Sequence, residues 1–199
     1  MESSKTKILE KILLPTTFGE FEMVAFDSGV KDFPHLALVT KNLDVKTPVL
    51  SRIHSECLTG DLFGSSRCDC GEQLESALVK ISTEGGALLY LRQEGRGIGL
   101  INKMKAYNLQ DEGLDTVQAN LALGFHSDER DFSIALEMYK LLNINKIRLL
   151  TNNPEKISTF DNTGIELLER VPLIIPPQAE NEEYLKVKKD QMGHLFGVI

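Results

Sequence analysis

Apolar side chains in the first fifty residues fall in short runs of strand length. Ile8 to Pro15 and Glu20 to Asp27 flank Thr16-Thr17-Phe18-Gly19, which reads as a hairpin turn. His35 to Thr40 and Thr47 to Ile53 are two further strand-length runs. The period then changes. Leu74, Ala77, Leu78 and Ile81 recur at i, i+3, i+4 and i+7, the stripe of an amphipathic helix that Gly85-Gly86 ends. Ala87 to Arg92 reads as a strand. Ile98 to Leu109 reads as a helix with Ile101 and Met104 on one side. Phe132, Ala135, Leu136 and Tyr139 mark another helix, and Ile147 to Leu150 a short strand. Asn152-Asn153-Pro154 opens a helix with proline in its first turn. Ile165 to Ile175 is extended up to Pro176-Pro177, and Asn181 to Met192 reads as a terminal helix. Strand-helix alternation after residue 70 predicts an α/β fold, a mixed β-sheet flanked by helices in a single compact domain over 1–199.

Composition narrows the function. The 199 residues are 42% hydrophobic and 26% charged, which excludes disordered, collagen-like and coiled-coil classes. No stretch approaches the roughly 18 apolar residues of a membrane span. The opening Met1 to Lys7 lacks the apolar core of a signal peptide, so a cytoplasmic protein is expected. A net charge of -7 argues against broad nucleic-acid binding but leaves room for an anionic small ligand beside clustered arginines.

The three cysteines, Cys57, Cys68 and Cys70, all fall between positions 57 and 70. An odd number is a poor disulfide framework. Two thiols at i and i+2 in a turn, with a third eleven residues upstream, can reach one metal ion. Three thiolates without an obvious fourth ligand suit a catalytic zinc with an open position. A closed structural site with His54 or His126 as the fourth ligand is the alternative, and buried small hydrophobes are another.

Three more segments carry candidate chemistry. Arg92 to Leu100 is glycine-rich, ends a strand and opens a helix. It suits close backbone approach to an anion, or simply a tight turn. Ser127 to Asp131 precedes a helix that Asp128 or Asp131 would cap, whereas Arg130 there is better explained facing a phosphate. Leu149 to Lys156 lies at the C-terminal end of a strand, where open α/β sheets bind ligands. Arg52, Arg67, Arg96, Arg130 and Lys156 together suggest a polyphosphate site.

These motifs resemble GTP cyclohydrolase II over nearly the whole length. The matching stretches are Arg52-Ile53-His54-Ser55-Glu56-Cys57, Arg67-Cys68-Asp69-Cys70-Gly71, Arg92-Gln93-Glu94-Gly95-Arg96, Asp128-Glu129-Arg130-Asp131 and Leu150-Thr151-Asn152-Asn153-Pro154. Gln118 stands where that family has Glu, and Asn143 where Gly is usual. The resemblance implies hydrolysis of GTP to formate, pyrophosphate and 2,5-diamino-6-(5-phosphoribosylamino)pyrimidin-4(3H)-one, the first committed step of riboflavin synthesis. It implies one zinc per subunit on Cys57, Cys68 and Cys70, magnesium on the phosphates, and a homodimer. It places Arg52, Ile53, His54, Ser55, Glu56, Gln73, Glu94, Gly95, Arg96, Thr116, Thr151 and Lys156 against GTP, with Glu94 the candidate for reading guanine. Asp128 becomes the proton acceptor, Arg130 the nucleophile and Tyr107 a neighbour of the base. A protonated guanidinium is a poor nucleophile, so a charge clamp is the alternative role for Arg130.

Overall fold

The computed structural model describes residues 6–30, 32–176 and 193–195. The helix expected over Asn181 to Met192 lies outside the described residues. The elements run β1 (Ile8–Thr16), β2 (Gly19–Phe26), β3 (His35–Thr40), β4 (Val49–Ser55), α1 (Leu58–Asp61), α2 (Cys70–Glu84) and β5 (Gly86–Leu91). A 3-10 turn over Glu94–Gly97 follows, then α3 (Leu100–Asp111), α4 (Thr116–Ala122), α5 (Ser133–Leu141), β6 (Lys146–Leu150), α6 (Pro154–Ser158) and β7 (Glu166–Val171). No helix among the described residues is long and apolar enough to cross a membrane. Among the described residues the backbone divides into two compact units, one drawn from 6–54, 75–92 and 132–173, the other from 55–74, 93–131, 174–176 and 193–195.

The first unit holds a seven-stranded mixed sheet in the order β1-β2-β3-β5-β4-β6-β7. β1, β2, β3 and β5 pair antiparallel in succession, whereas β4-β6 and β6-β7 are parallel. This is the mixed α/β sheet that the alternation predicts. Thr16 pairs with Gly19, so Thr17-Phe18 is a two-residue hairpin loop, and the Thr16 hydroxyl donates to Gly19 O at 2.8 Å. β4 lies between β5 and β6 and is buried almost throughout, its polar residues Ser51, Arg52 and His54 included. In α2 the expected stripe is real: Ala77, Leu78 and Ile81 are buried, and Gly85, at φ +82°, ends the helix with its N–H on Ile81 O. Met138 and Tyr139 of α5 pack with Ile53, Leu89, Ile147 and Phe160 in one apolar core. Pro154 opens α6, capped by Asn153 Oδ1, which accepts from Glu155 N at 2.8 Å.

The second unit departs more from the sequence pattern. The segment around Cys57 contains the single helical turn α1, in which Asp61 Oδ2 accepts from Cys57 N at 3.0 Å. α3 starts at Leu100 rather than Ile98, because Gly95, Arg96, Gly97 and Gly99 all have positive φ. Ile101 and Met104 do share a side of α3, but it is the solvent side; they are 64% and 54% exposed. The buried side carries Lys103 and Ala106. α4 had no apolar stripe to announce it. Its signal is the capping box Asp115-x-x-Gln118: Asp115 Oδ1 accepts from Val117 N and Gln118 N, and Gln118 Oε1 accepts from Asp115 N.

Candidate active site

The three sulfurs lie within 4.8 Å of one another, with Cys57 and Cys68 at 3.6 Å. The strand end at Ser55 delivers Cys57, and the start of α2 delivers Cys70. Gly60 makes the cluster sterically allowed, since a Cβ there would meet Cys68 Sγ at 2.9 Å and Cys57 Sγ at 3.2 Å. A tetrahedral metal ion with metal–sulfur bonds of roughly 2.3 Å needs sulfurs about 3.8 Å apart, so the trio fits one ion. Neither His54 nor His126 belongs to this metal-competent group, which among the described residues consists of the three thiols.

Charge in the trio is uneven. Hydrogen bonds from Cys68, then from Cys70, hold the Cys57 thiol far below its usual range against the opposing effect of burial. Cys68, the donor to Cys57, is pushed up to about 11, and Cys70 is raised by Cys57 and then Cys68. Lys103 Nζ lies 3.1 Å from Cys57 Sγ, 2.9 Å from Thr59 Oγ1 and 2.8 Å from Glu94 Oε1. Burial works against its charge, but the Cys57 thiolate and then the Glu94 hydrogen bond outweigh burial and raise its pKa.

The same unit places a cleft over the cluster. Ser55, Glu56, Glu94, Gly95, Arg96, Tyr107, Thr116 and Arg130 line it together with the cysteines. Tyr107 sits on the inner side of α3, with the Arg67 guanidinium 4.9 Å above its ring, and burial raises its phenol pKa. The glycine-rich segment lines this cleft through Gly95 and Arg96. A Cβ at Gly97 would meet the backbone of Glu129 at 2.9 Å, and Glu129 N donates to Arg96 O at 2.9 Å, so the Arg96 and Arg130 loops are laced together.

Asp128 does not cap α5, whose N-cap is Phe132 without a side-chain cap bond. Its carboxylate instead accepts from Arg130 Nε at 2.8 Å and from Arg130 NH2. Burial alone would raise the Asp128 pKa; the Arg130 hydrogen bond and charge outweigh it and hold the carboxyl below the usual range. Gln73 belongs to this unit too and donates to Asp69 Oδ2.

Arg52, Ile53 and His54 in β4, Thr151 just after β6 and Lys156 in α6 belong to the first unit. Arg52 NH1 donates to Leu150 O at 3.0 Å, and Lys156 Nζ to Ile53 O at 2.8 Å. His54 stacks on Tyr90 with ring centroids 5.5 Å apart. All five side chains are buried.

A family model described as GTP cyclohydrolase II matches residues 6–172. The chain belongs to the GTP cyclohydrolase II family. The GTP cyclohydrolase-2 of Proteus mirabilis is 57% identical over 96% of this chain and 97% of its own. That of Buchnera aphidicola from Acyrthosiphon pisum is 55% identical over 96% and 98%, and that of Escherichia coli strain S88 is 56% identical over 92% and 94%. A solved two-domain 3,4-dihydroxy-2-butanone 4-phosphate synthase from A. baumannii aligns at TM-score 0.46 and 16% identity, over 87% of this chain and 42% of that one. As a member of the GTP cyclohydrolase II family, the protein is an enzyme.

The two departures from the family pattern have structural explanations. Gln118 closes the α4 capping box through its side-chain oxygen, as a glutamate would. Asn143 has φ +58°, a conformation that glycine adopts freely and asparagine tolerates. Lys103 had no sequence signal in its own right. The inward stripe Lys103, Ala106, Tyr107 and Gln110, at i, i+3, i+4 and i+7, was the available one, but its mixed polarity hid it behind Ile101 and Met104.

Proposed function

We propose that this protein is a zinc-dependent GTP cyclohydrolase II. It converts GTP to formate, pyrophosphate and 2,5-diamino-6-(5-phosphoribosylamino)pyrimidin-4(3H)-one, the committed step of riboflavin synthesis. The observation that carries this reading is the trio Cys57, Cys68 and Cys70, spaced for one ion, in a cleft that also presents Tyr107, Arg96 and Arg130. Thiolates select zinc over hard cations. When bound, zinc supplies Lewis acidity that lowers the pKa of a coordinated water toward about 7.

The chain's own residues bind and orient. Tyr107 keeps its proton at neutral pH and can donate a hydrogen bond from the wall of the cleft. Arg96 and Arg130 supply positive charge for the phosphates, with magnesium assisting. Asp128 holds the Arg130 guanidinium in place, which supports a clamp that stabilises charge as pyrophosphate leaves over a nucleophile. Arg52, His54, Thr151 and Lys156 remain GTP contacts on the resemblance alone, as do a homodimeric state, a cytoplasmic location and one domain over 1–199.

The test is incubation of the zinc-loaded protein with GTP. Formate and pyrophosphate should appear one to one. Pyrophosphate without formate would overturn the reading, and a product that keeps its triphosphate would point to ring-closing chemistry instead. Cys68→Ser should lose zinc and formate release together.

A further inference from the structure

We propose that Lys103 is a positioning residue for the metal centre. Its ammonium locks the Cys57 loop to Glu94 and offsets the negative charge of the thiolates. The inference deepens the zinc reading above and rests on it. An ammonium has three N–H donors and no acceptor. In Lys103 all three have a partner: Cys57 Sγ, Thr59 Oγ1 and Glu94 Oε1, at 2.8 to 3.1 Å. The residue is only 8% exposed.

Glu94 completes the lock. Its Oε2 accepts from Leu58 N at 2.5 Å, and its Oε1 accepts from Gly95 N at 2.8 Å as well as from Lys103. Its carboxylate therefore spans the first residue of α1, the glycine-rich turn and α3. It is 9% exposed. A carboxylate occupied in this way organises the loop that carries Cys57.

The charge arithmetic explains why a lysine belongs here. Three thiolates on one divalent ion leave a net charge of -1 in a buried place. The Glu94 carboxylate beside them makes it -2, and one ammonium held between Glu94 and Cys57 brings the cluster back to -1. Partners that hydrogen-bond to metal ligands fix ligand geometry and tune the ion, and losing one typically costs roughly 10- to 100-fold in metal affinity.

The experiment compares wild type, Lys103→Met and Lys103→Arg. Zinc affinity is read by competition with a chromophoric chelator. The cobalt(II)-loaded proteins report the sulfur-to-metal charge-transfer band, and circular dichroism melts report folding. Affinity should fall in the order wild type, Arg, Met, with the Met variant down by roughly 10- to 100-fold. The charge-transfer band should move to lower energy in the same order, because a thiolate without its donor is easier to oxidise. A purely structural lysine would lower the melting temperature and leave the band in place. A folded Met variant with wild-type affinity and band overturns the proposal. If the Met variant does not fold, the Arg variant decides alone, and wild-type affinity and band in it overturn the proposal equally. Failure of the wild type itself to bind zinc would overturn the zinc reading rather than the role of Lys103 within it.

Discussion

Asp128→Asn removes the charge that holds Arg130 while keeping the side chain's shape. In the wild type Arg130 Nε is 2.8 Å from Oδ1 and 3.1 Å from Oδ2, and Arg130 N is 3.1 Å from Oδ1. The two side chains are 13% and 9% exposed, so solvent screens the pair weakly. Hydrogen bonds to charged groups net roughly 1.5–3 kcal/mol, and stranding one member of a buried pair costs roughly 3–5 kcal/mol. Asparagine retains an oxygen that can accept from Nε, which places the expected loss near the lower range, about 2–3 kcal/mol. For a chain of this length each kcal/mol lowers Tm by about 2–4 °C, so the variant should melt about 4–12 °C below wild type at pH 7. The pH dependence is specific. The folded Asp128 pKa lies below its unfolded value, so its contribution is complete above the ordinary carboxylate pKa of about 3.9. It is lost as pH falls from there through the lower folded value. The gap in Tm should therefore hold from pH 7 to about 5 and close on acidification below about 4. Turnover should drop on the order of 100-fold, since Arg130 would keep its charge but lose its aim. Circular dichroism melts across pH and the formate assay measure both. A variant that melts with wild type at pH 7, or a gap unchanged down to pH 3, would refute the argument.

Gly60→Ala should weaken zinc binding with little loss of secondary structure, because the new methyl would press on Cys68 Sγ at 2.9 Å and Cys57 Sγ at 3.2 Å; a chelator competition assay reads it. Tyr139→Phe should cost roughly 1 kcal/mol in urea unfolding and leave turnover intact. Its hydroxyl bonds Ser51 Oγ at 2.7 Å in the core, and Ser51 keeps Ala87 O as a partner. Asn143→Ala should destabilise by about 1 kcal/mol, whereas Asn143→Gly should be near neutral, because position 143 has φ +58°; equal melting temperatures for the two would contradict the backbone argument.

Local features were legible in the sequence because their causes lie within a few residues. The Thr16–Gly19 hairpin, the Ala77-Leu78-Ile81 stripe of α2 and the Asn153-Pro154 start of α6 each follow from neighbours one to four positions apart. The thiol cluster was legible for the same reason: two of its members are two residues apart, and the third is close enough in the chain to return to them. The sheet order was not, since inserting β5 between β3 and β4 depends on pairings between distant segments. Nor was the direction of α3. Apolar Ile101 and Met104 face solvent, and a charged lysine is buried in their place. Burying an ammonium is unfavourable by itself and becomes favourable only when an anion meets it. For Lys103 those anions are Glu94 and Cys57, nine and 46 residues away in the chain. Asp128 shows the same limit at short range: its sequence context fits a helix cap as well as an arginine partner, and only the folded loop settles which donor reaches it. Periodicity and spacing determined the local elements and the grouping of the three thiols. The tertiary structure decided which charge answers which, because the burial that makes such pairing necessary exists only in the folded chain.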